Sequence, residues 1–345
     1  MEDNKLIKVR NLKTYFPIKA GVIKKTVGHV KAVNGVNLDI YKGETIGLVG
    51  ESGCGKTTLG KSIIQLLKPT SGSVEYFDGE KYVDLTNLSN NEMDKFRKKI
   101  QIVFQDPYSS LNPSFTIFSS LSEPLKKFGV KSKEERIKII SELLNEVNLP
   151  AEYMSRYPNE FSGGQLQRIG IARALSVQPE CIVLDEAVSA LDVSIQAQVL
   201  RLLIDLKKKN NLSYIFISHD LSVVEFIADR VVVMYLGNIV EVASTDELYE
   251  DPLHPYTTAL LSAIPVADIV ERHKRKPLEG DVPSPSNPPS GCHFHPRCPL
   301  VKEICKTTDP ELVEYNIKGN SHLCKCHYVY ERYHEFQVKD DTNMQ

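Results

Sequence analysis

The chain has 345 residues, a quarter of them charged, and a formal net charge of −2. That balance excludes a surface built for bulk nucleic-acid binding. Apolar runs fall short of the roughly 18 residues that a membrane-crossing helix requires, so no transmembrane helix is expected.

At this length the chain can hold two domains, or one large domain with an appendage. Its first residues, Met-Glu-Asp-Asn-Lys, do not read as a signal peptide, and a cytoplasmic location is expected. Any membrane role then needs a partner. Residues 1–49 read as strands and turns. Ile7–Leu12 alternates in polarity, and Ala32–Ile40 has two turn signals inside it. Residues 1–31 hold eight Lys or Arg and two acids, read as a solvated basic face. Tyr15, Phe16 and His29 supply rings that can stack on a base, and the sequence does not choose among them.

Glu44–Val49 is short, apolar and β-branched, the pattern of a buried strand. Gly50-Glu51-Ser52-Gly53-Cys54-Gly55-Lys56-Thr57-Thr58 follows, and Leu59–Leu67 then has helical spacing that stops before Pro69. Strand, glycine-rich turn and helix form the context that a G-x-x-x-x-G-K-[ST] phosphate loop requires. Glycines at 50, 53 and 55 can take positive φ and turn successive N–H groups inward, beside a helix N-terminus that favours anions. Lys56 is placed to neutralise β- and γ-phosphates, and the Thr57 hydroxyl to ligate Mg²⁺. Cys54, at the helix start beside Lys56, is expected to favour thiolate and to be alkylated unless ATP protects it.

Pro69–Gly72 reads as a turn, followed by a weak hairpin and the buried strand Ile100–Phe104. Gln105 stands at its carboxyl end, where ligands of open α/β sheets bind. Residues 119–160 read as helical, with Ile137, Ile140, Leu143, Leu144 and Val147 forming an apolar stripe and Pro124, Pro150 and Pro158 bounding the pieces. Phe161-Ser162-Gly163-Gly164-Gln165 opens another amphipathic helix. Ser162 is a good N-cap, and the site reads either as a second anion cradle or as a capped helix start. Cys181–Glu186 is a buried strand ending in two acids. Asp185 fits a carboxylate that holds Mg²⁺ with Thr57, and Glu186 one that orients or deprotonates a water. Leu212–Ser218 is a further buried strand, and His219 at its end is read as a γ-phosphate contact. Val231–Leu236 and Asn238–Val242 read as an antiparallel pair about Gly237.

Past Asp251 prolines crowd in at 277, 283, 285, 288 and 289, and then cysteines. Five of the seven cysteines lie in this tail, and in a cytoplasmic chain such crowding suggests metal over disulfides.

In order and spacing these stretches resemble an ABC-transporter ATPase subunit. Gly50–Thr57 matches its Walker A, Gln105 its Q-loop, Phe161–Gln165 its signature, Ile182–Glu186 its Walker B, Ser189–Asp192 its D-loop and His219 its H-loop. Gln105–Pro113, Ser189–Gln198, Pro252–Thr257 and Gly291–Pro299 narrow the resemblance to the oligopeptide/dipeptide importers, and to the second of their paired ATPase subunits. Ala187 departs from the family's usual proline, Phe161 replaces the usual leucine, and no aromatic sits at the usual spacing before Walker A.

The resemblance implies an α/β P-loop NTPase fold: a RecA-like core, an antiparallel β subdomain and an α-helical subdomain. It implies an ATPase domain over residues 1–250, with its helical subdomain at about 106–168, and a Cys-rich extension over 251–345. ATP would lie between two subunits. Gly50 to Thr58, Gln105 and Asp185 would act from one chain, and Ser162, Gly163, Gly164 and Gln165 in trans. Thr57, Gln105 and Asp185 would hold Mg²⁺, with Glu186 and His219 catalytic. Cys292, Cys298, Cys305 and Cys326 match the four-cysteine [4Fe–4S] site of some family members, with Cys324 extra. Zn²⁺ is the alternative, because His293, His295, His322 and His327 lie among them. Free thiols on a flexible tail are the third reading.

The implied function is an ATP-hydrolysing subunit of a peptide importer on the cytoplasmic face of the membrane. Its implied partners are a paralogous ATPase subunit, two permease subunits and, through them, an extracytoplasmic peptide-binding protein, with no nucleic acid. A nickel or other small-solute importer is an alternative. A soluble ABC protein acting on ribosomes or DNA is a more distant one.

Overall fold

The computed structural model describes residues 4–21, 25–264, 280–317 and 319–333, so Pro277 lies outside the described residues. β1 (Lys5–Ala20) and β2 (Lys25–Tyr41) are long strands. The turn signal at Asn34-Gly35 does not break β2, because Gly35 absorbs it at φ 74 within the strand. β3 (Thr45–Val49) is buried at every position, as its unbroken apolar run requires. α1 (Lys56–Ile63) begins at Lys56 and ends before the expected Leu67. It stops early because Gln65 turns left-handed at φ 58 and the amides of Leu66 and Leu67 both donate to the Lys61 carbonyl.

β4 (Ser71–Phe77) and β5 (Tyr82–Asp84) make the expected hairpin, with Glu75 opposite Asp84. The sequence reading missed α2 (Asn90–Lys99), whose start carries a capping box between Ser89 and Glu92. The strand β6 (Ile100–Val103), the helices α3 (Ile117–Lys127) and α4 (Lys133–Glu146), and then α5 (Gly163–Leu175) follow. Pro124, expected at a boundary, lies inside α3, where burial of Leu121 and Leu125 outweighs one lost hydrogen bond. β7 (Cys181–Asp185), α6 (Val193–Asn210) and β8 (Ser213–Ile217) form a strand–helix–strand unit. Then come α7 (Leu221–Ile227), β9 (Arg230–Tyr235), β10 (Asn238–Ser244), α8 (Thr245–Glu250) and α9 (Pro255–Ser262). The tail adds α10 (Glu303–Thr307), β11 (Val313–Ile317) and β12 (Asn320–Cys324).

The chain divides into two compact units. One comprises Met1–Lys8, Asp39–Thr45 and Glu75–Ser218. Here β8, β7 and β6 pair in that order, all parallel, with Asp185 opposite Ile217 and Val103 opposite Leu184. Parallel strands put their carboxyl ends on one edge, so the loops after β6 and β7 open on the same side. α3, α4 and α5 are inserted between β6 and β7.

The other unit comprises Val9–Leu38, Ile46–Val74 and His219–Gln345. Its strands run in the order β11-β12-β10-β9-β3, with β3 parallel to β9 and the rest antiparallel. β10 closes on β9 about Gly237, as read from the sequence. β12 pairs with β10 through Cys324 and Leu323, so residues past 251 continue a sheet begun before it. No described helix is long and apolar enough to cross a membrane.

Candidate nucleotide site

The phosphate loop takes the backbone its glycines allow: φ is 144 at Gly50, 79 at Gly53 and 109 at Gly55. At two of these, space forbids a side chain as well. A Cβ on Gly50 would stand 2.2 Å from the Met234 carbonyl oxygen, and one on Gly55 2.0 Å from that of Ala32. Gly55 is also the N-cap residue of α1, whose first turn carries no acid. The loop therefore ends in a helix N-terminus whose own first turn holds no charge that repels an anion. The Lys56 ammonium is buried and donates to the carbonyls of Gly50 at 2.7 Å and Glu51 at 3.0 Å. Thr57 and Thr58 are partly exposed on the first turn, and Ser52 is exposed.

Cys54 overturns the expectation of a thiolate. It is buried, and burial raises its pKa by more than Lys56, with Nζ 3.8 Å from Sγ, lowers it. Two of the three rings proposed as partners for a base lie near each other, Tyr15 and His29 being 6.5 Å apart between centroids. Tyr15 donates its hydroxyl to Asn34 at 2.5 Å, while Phe16 is exposed.

Two of the expected catalytic-side residues meet in the unit that holds β6 and β7. Gln105, in the loop after β6, donates Nε2 to Glu186 Oε2 at 2.9 Å. Asp185 is buried at the end of β7. Glu186, one residue on, sits at φ 50, a left-handed conformation that side chains avoid. It is held there from three directions. Its N–H donates to the Ile217 carbonyl at 3.0 Å, and its own carbonyl accepts from Ser189 N at 3.1 Å and Ser189 Oγ at 2.9 Å. Ala187, at the family's proline position, is buried. The D-loop acid Asp192 caps α6 and accepts from Ile195 N at 3.0 Å. His219 opens the other unit, exposed, just ahead of Asp220, which caps α7 by accepting from Ser222 N at 3.0 Å.

The signature stretch forms the cap read from its sequence. Ser162 Oγ accepts from Gln165 N at 3.4 Å, and Gln165 Oε1 accepts from Ser162 N at 3.0 Å. This capping box satisfies two amides of α5 and leaves those of Gly163 and Gly164 at the tip. Gly164 also lets α5 approach α6, since a Cβ there would meet Ile195 Cγ2 at 2.4 Å.

The tail requires a correction. Cys292, Cys298, Cys305 and Cys326 were expected to hold an iron–sulfur cluster, with zinc as the alternative. Among the described residues no group of three or more His, Cys, Asp or Glu is arranged to hold a metal ion. Burial favours the thiol form at three of the four cysteines, and each of the four histidines among them has another partner. Burial pushes the Cys292 thiol up to about 12 and Cys298 to about 11, and it also raises Cys326. His293 Nδ1 pairs with Asn238 at 2.9 Å, and His295 Nδ1 with the Cys292 carbonyl at 3.0 Å. His322 Nε2 pairs with Glu241 at 2.7 Å, and His327 Nε2 with the Thr308 carbonyl at 3.0 Å. Cys324, the extra cysteine, is buried with Tyr315 and Val329 in a small apolar cluster.

Two functional neighbours of the phosphate loop escaped the sequence reading. Arg297 forks onto the Glu51 carboxylate, and Tyr256 accepts the Glu51 amide. Both stood in stretches quoted for their resemblance, Pro252–Thr257 and Gly291–Pro299. No spacing rule pairs residue 51 with residues some 200 positions away.

Comparison with known proteins agrees with this geometry. The family model for ABC transporters matches residues 33–189, and that for the oligopeptide/dipeptide transporter C-terminal region matches 240–305. The oligopeptide transport ATP-binding protein AppF of Bacillus subtilis (strain 168) is 52% identical over 93% of this chain and 97% of its own length. A probable peptide ABC transporter ATP-binding protein of Sinorhizobium fredii, y4tS, is 51% identical over 89% of this chain and 86% of its own. Among solved structures, the dimeric bacterial ABC transporter cassette MJ0796 superposes with a TM-score of 0.60 at 30% identity, covering 70% of this chain and 99% of that one. CbiO1 of Clostridium perfringens, part of the ABC transporter complex cbiONQ, does so at 0.60 and 26%, covering 72% and 92%.

Proposed function

Because the chain belongs to the ATP-binding proteins of oligopeptide-type ABC transporters, we propose the following division of labour among its residues. The chain binds and hydrolyses ATP to energise peptide import. The observation that carries the catalytic assignment is Glu186, held in a left-handed conformation at the end of β7 with Gln105 on its carboxylate. Strained backbone of this kind persists only where its surroundings over-determine it, and active sites are among the places where it clusters.

Gly50 to Thr58 cradle the phosphates, and Lys56 leaves the carbonyls it now holds to meet their charge. Glu186 orients or deprotonates the attacking water, and His219 contacts the γ-phosphate. Thr57, Gln105 and Asp185 offer a hydroxyl, an amide oxygen and a carboxylate, the hard oxygen donors that Mg²⁺ takes. With Gln105 Nε2 turned to Glu186, its Oε1 is left for that role. When bound, the ion neutralises charge on the phosphate oxygens. Ser162, Gly163, Gly164 and Gln165 act on ATP held by another subunit, the two glycines through the amides that the capping box leaves free.

ATPase subunits of such importers work with transmembrane permease subunits. For this chain we infer two permeases, a paralogous ATPase completing a heterodimer, and an extracytoplasmic peptide-binding protein reached through the permeases. It then sits peripherally on the cytoplasmic face. Residues 1–250 are read as the ATPase part, with a helical piece at about 106–168, and 251–345 as an extension typical of the oligopeptide group.

The test is ATP hydrolysis by the chain assembled with its co-purifying membrane subunits. Stimulation by peptides together with their binding protein is the expected result. Stimulation by nickel and not by peptides would overturn the cargo. A complex without ATPase activity would overturn the enzyme.

A further inference from the structure

Glu51 is the second residue of the phosphate loop, and three hydrogen bonds reach it from beyond residue 250. Arg297 donates Nη1 to Oε2 at 2.8 Å and Nη2 to Oε1 at 3.0 Å, and Tyr256 Oη accepts from Glu51 N at 2.8 Å. A bidentate guanidinium–carboxylate fork is directional and strong, and burial strengthens it. Here the Arg297 side chain is only 5% exposed and that of Glu51 25%. The fork rests on a built platform. The guanidinium lies 6.0 Å from the centre of the Tyr235 ring. Tyr235, Tyr256 and Phe294 pack ring against ring, with centroids 4.7 to 5.4 Å apart. Tyr256 and Phe294 are almost fully buried.

The consequence for nucleotide runs through the same residue. The Glu51 carbonyl accepts from Lys56 Nζ at 3.0 Å and from Cys54 N at 3.2 Å. The residue that the extension grips is therefore one of the two whose carbonyls seat the loop's lysine, Gly50 being the other. Charge points the same way. An unpaired carboxylate inside a phosphate loop would repel a triphosphate, and Arg297 cancels it. A plain staple between extension and loop could join any two side chains. This one joins the loop's single acid to a buried cation.

We propose that Arg297 is a positioning residue for ATP binding, which fixes Glu51 and neutralises it so that the phosphate loop accepts a polyanion, with Tyr256 holding the same peptide by its amide. The C-terminal extension is thereby a part of the nucleotide site. This rests on the assignment of Gly50–Thr58 as the ATP loop.

The test measures MgATP dissociation constants of the full chain, and KM and kcat for ATP in the assembled complex. Arg297→Gln keeps size and leaves Glu51 charged, and it should weaken MgATP binding about tenfold, raising KM while kcat stays within about twofold. Arg297→Lys keeps the charge and loses the fork, and should fall between. Adding Glu51→Gln to Arg297→Gln should recover most of the loss, because the carboxylate that Arg297 neutralised is then gone. A structural staple predicts equal losses for Glu51→Gln and Arg297→Gln with no recovery in the double variant, and that pattern overturns the proposal. So does wild-type binding in Arg297→Gln. If Arg297→Gln does not fold, Arg297→Lys and Glu51→Gln/Arg297→Lys decide: weaker binding in the first with recovery in the second supports the proposal, and wild-type binding in the first or no recovery in the second ends it. A wild-type chain that binds no MgATP would instead sink the functional reading beneath it.

Discussion

Gln105 Nε2 and Glu186 Oε2 are 2.9 Å apart, so the residue after β6 grips the carboxylate that follows β7. A left-handed backbone at a non-glycine residue costs about 1 kcal/mol or more, and the contacts around Glu186 hold it there. Glu186→Gln should lower kcat of the assembled complex about 100-fold or more, as loss of a general base does, with the MgATP dissociation constant within a few-fold. Gln105→Glu should also lower kcat, because it replaces the amide that donates to the Glu186 carboxylate with a like charge. Wild-type turnover in Glu186→Gln would show that the base lies elsewhere.

Cys54 should react slowly. Thiolate is the nucleophile, and burial here keeps the proton on sulfur despite Lys56 alongside. At neutral pH, iodoacetamide should label Cys54 about tenfold or more slowly than the cysteine of a short unstructured peptide, and bound ATP should change that rate little. Mass spectrometry of tryptic peptides measures both rates. Fast labelling blocked by ATP would restore the thiolate expectation.

The phosphate loop, the strands β3, β6, β7 and β8 and the Ser162 cap were legible because each rests on local chemistry: apolar runs, glycine φ and short-range caps. The misread features depend on competition or on distance. Leu66 and Leu67 have helical spacing, but Gln65 turns left-handed first. α2 is rich in charge and lacks an apolar stripe strong enough to announce it, although Ser89 and Glu92 stood at capping-box spacing. At Cys54 the helix N-terminus and Lys56 were visible, but the burial that outweighs them was not. The tail cysteines suggested metal by their crowding, and the four-cysteine ligand set came from the family resemblance. Their histidine neighbours prove to be tied to Asn238, Glu241 and backbone carbonyls, which only tertiary structure reveals. The fork between Arg297 and Glu51 had no local signal at all.

Gly164→Ala tests the contact between α5 and α6. The added methyl would meet Ile195 Cγ2 at 2.4 Å, too near for any van der Waals contact. Overpacking of this kind costs about 1–3 kcal/mol and displaces the helix start that carries Ser162. The variant should lower ATP hydrolysis in the assembled complex while MgATP binding by the isolated chain is unchanged. Ile195→Ala in the same chain should relieve the clash and return most of the rate. No recovery would mean that Gly164 matters through its own backbone and not through α6.

His254 should make stability depend on pH in mild acid. It is buried, its ring Nδ1 accepts from Tyr256 N at 3.1 Å, and its backbone N–H donates to Glu241 Oε2 at 3.1 Å. The side chains facing it include Glu241, which favours the cation, and Lys325, which opposes it. Burial outweighs both and lowers the pKa from 6.5 to about 4. The unfolded chain therefore binds the proton first as pH falls. Stability from the neutral ring is full above about pH 6.5 and is lost progressively toward pH 4, by at most about 3 kcal/mol. Urea midpoints compared at about pH 7 and about pH 5 should fall in the wild type. His254→Asn keeps an oxygen for the Tyr256 amide and removes the titration, so its midpoint should fall less over the same interval, whatever its absolute stability. Equal slopes in the two proteins would assign the acid sensitivity to other groups and show that His254 can take up its proton without leaving the core.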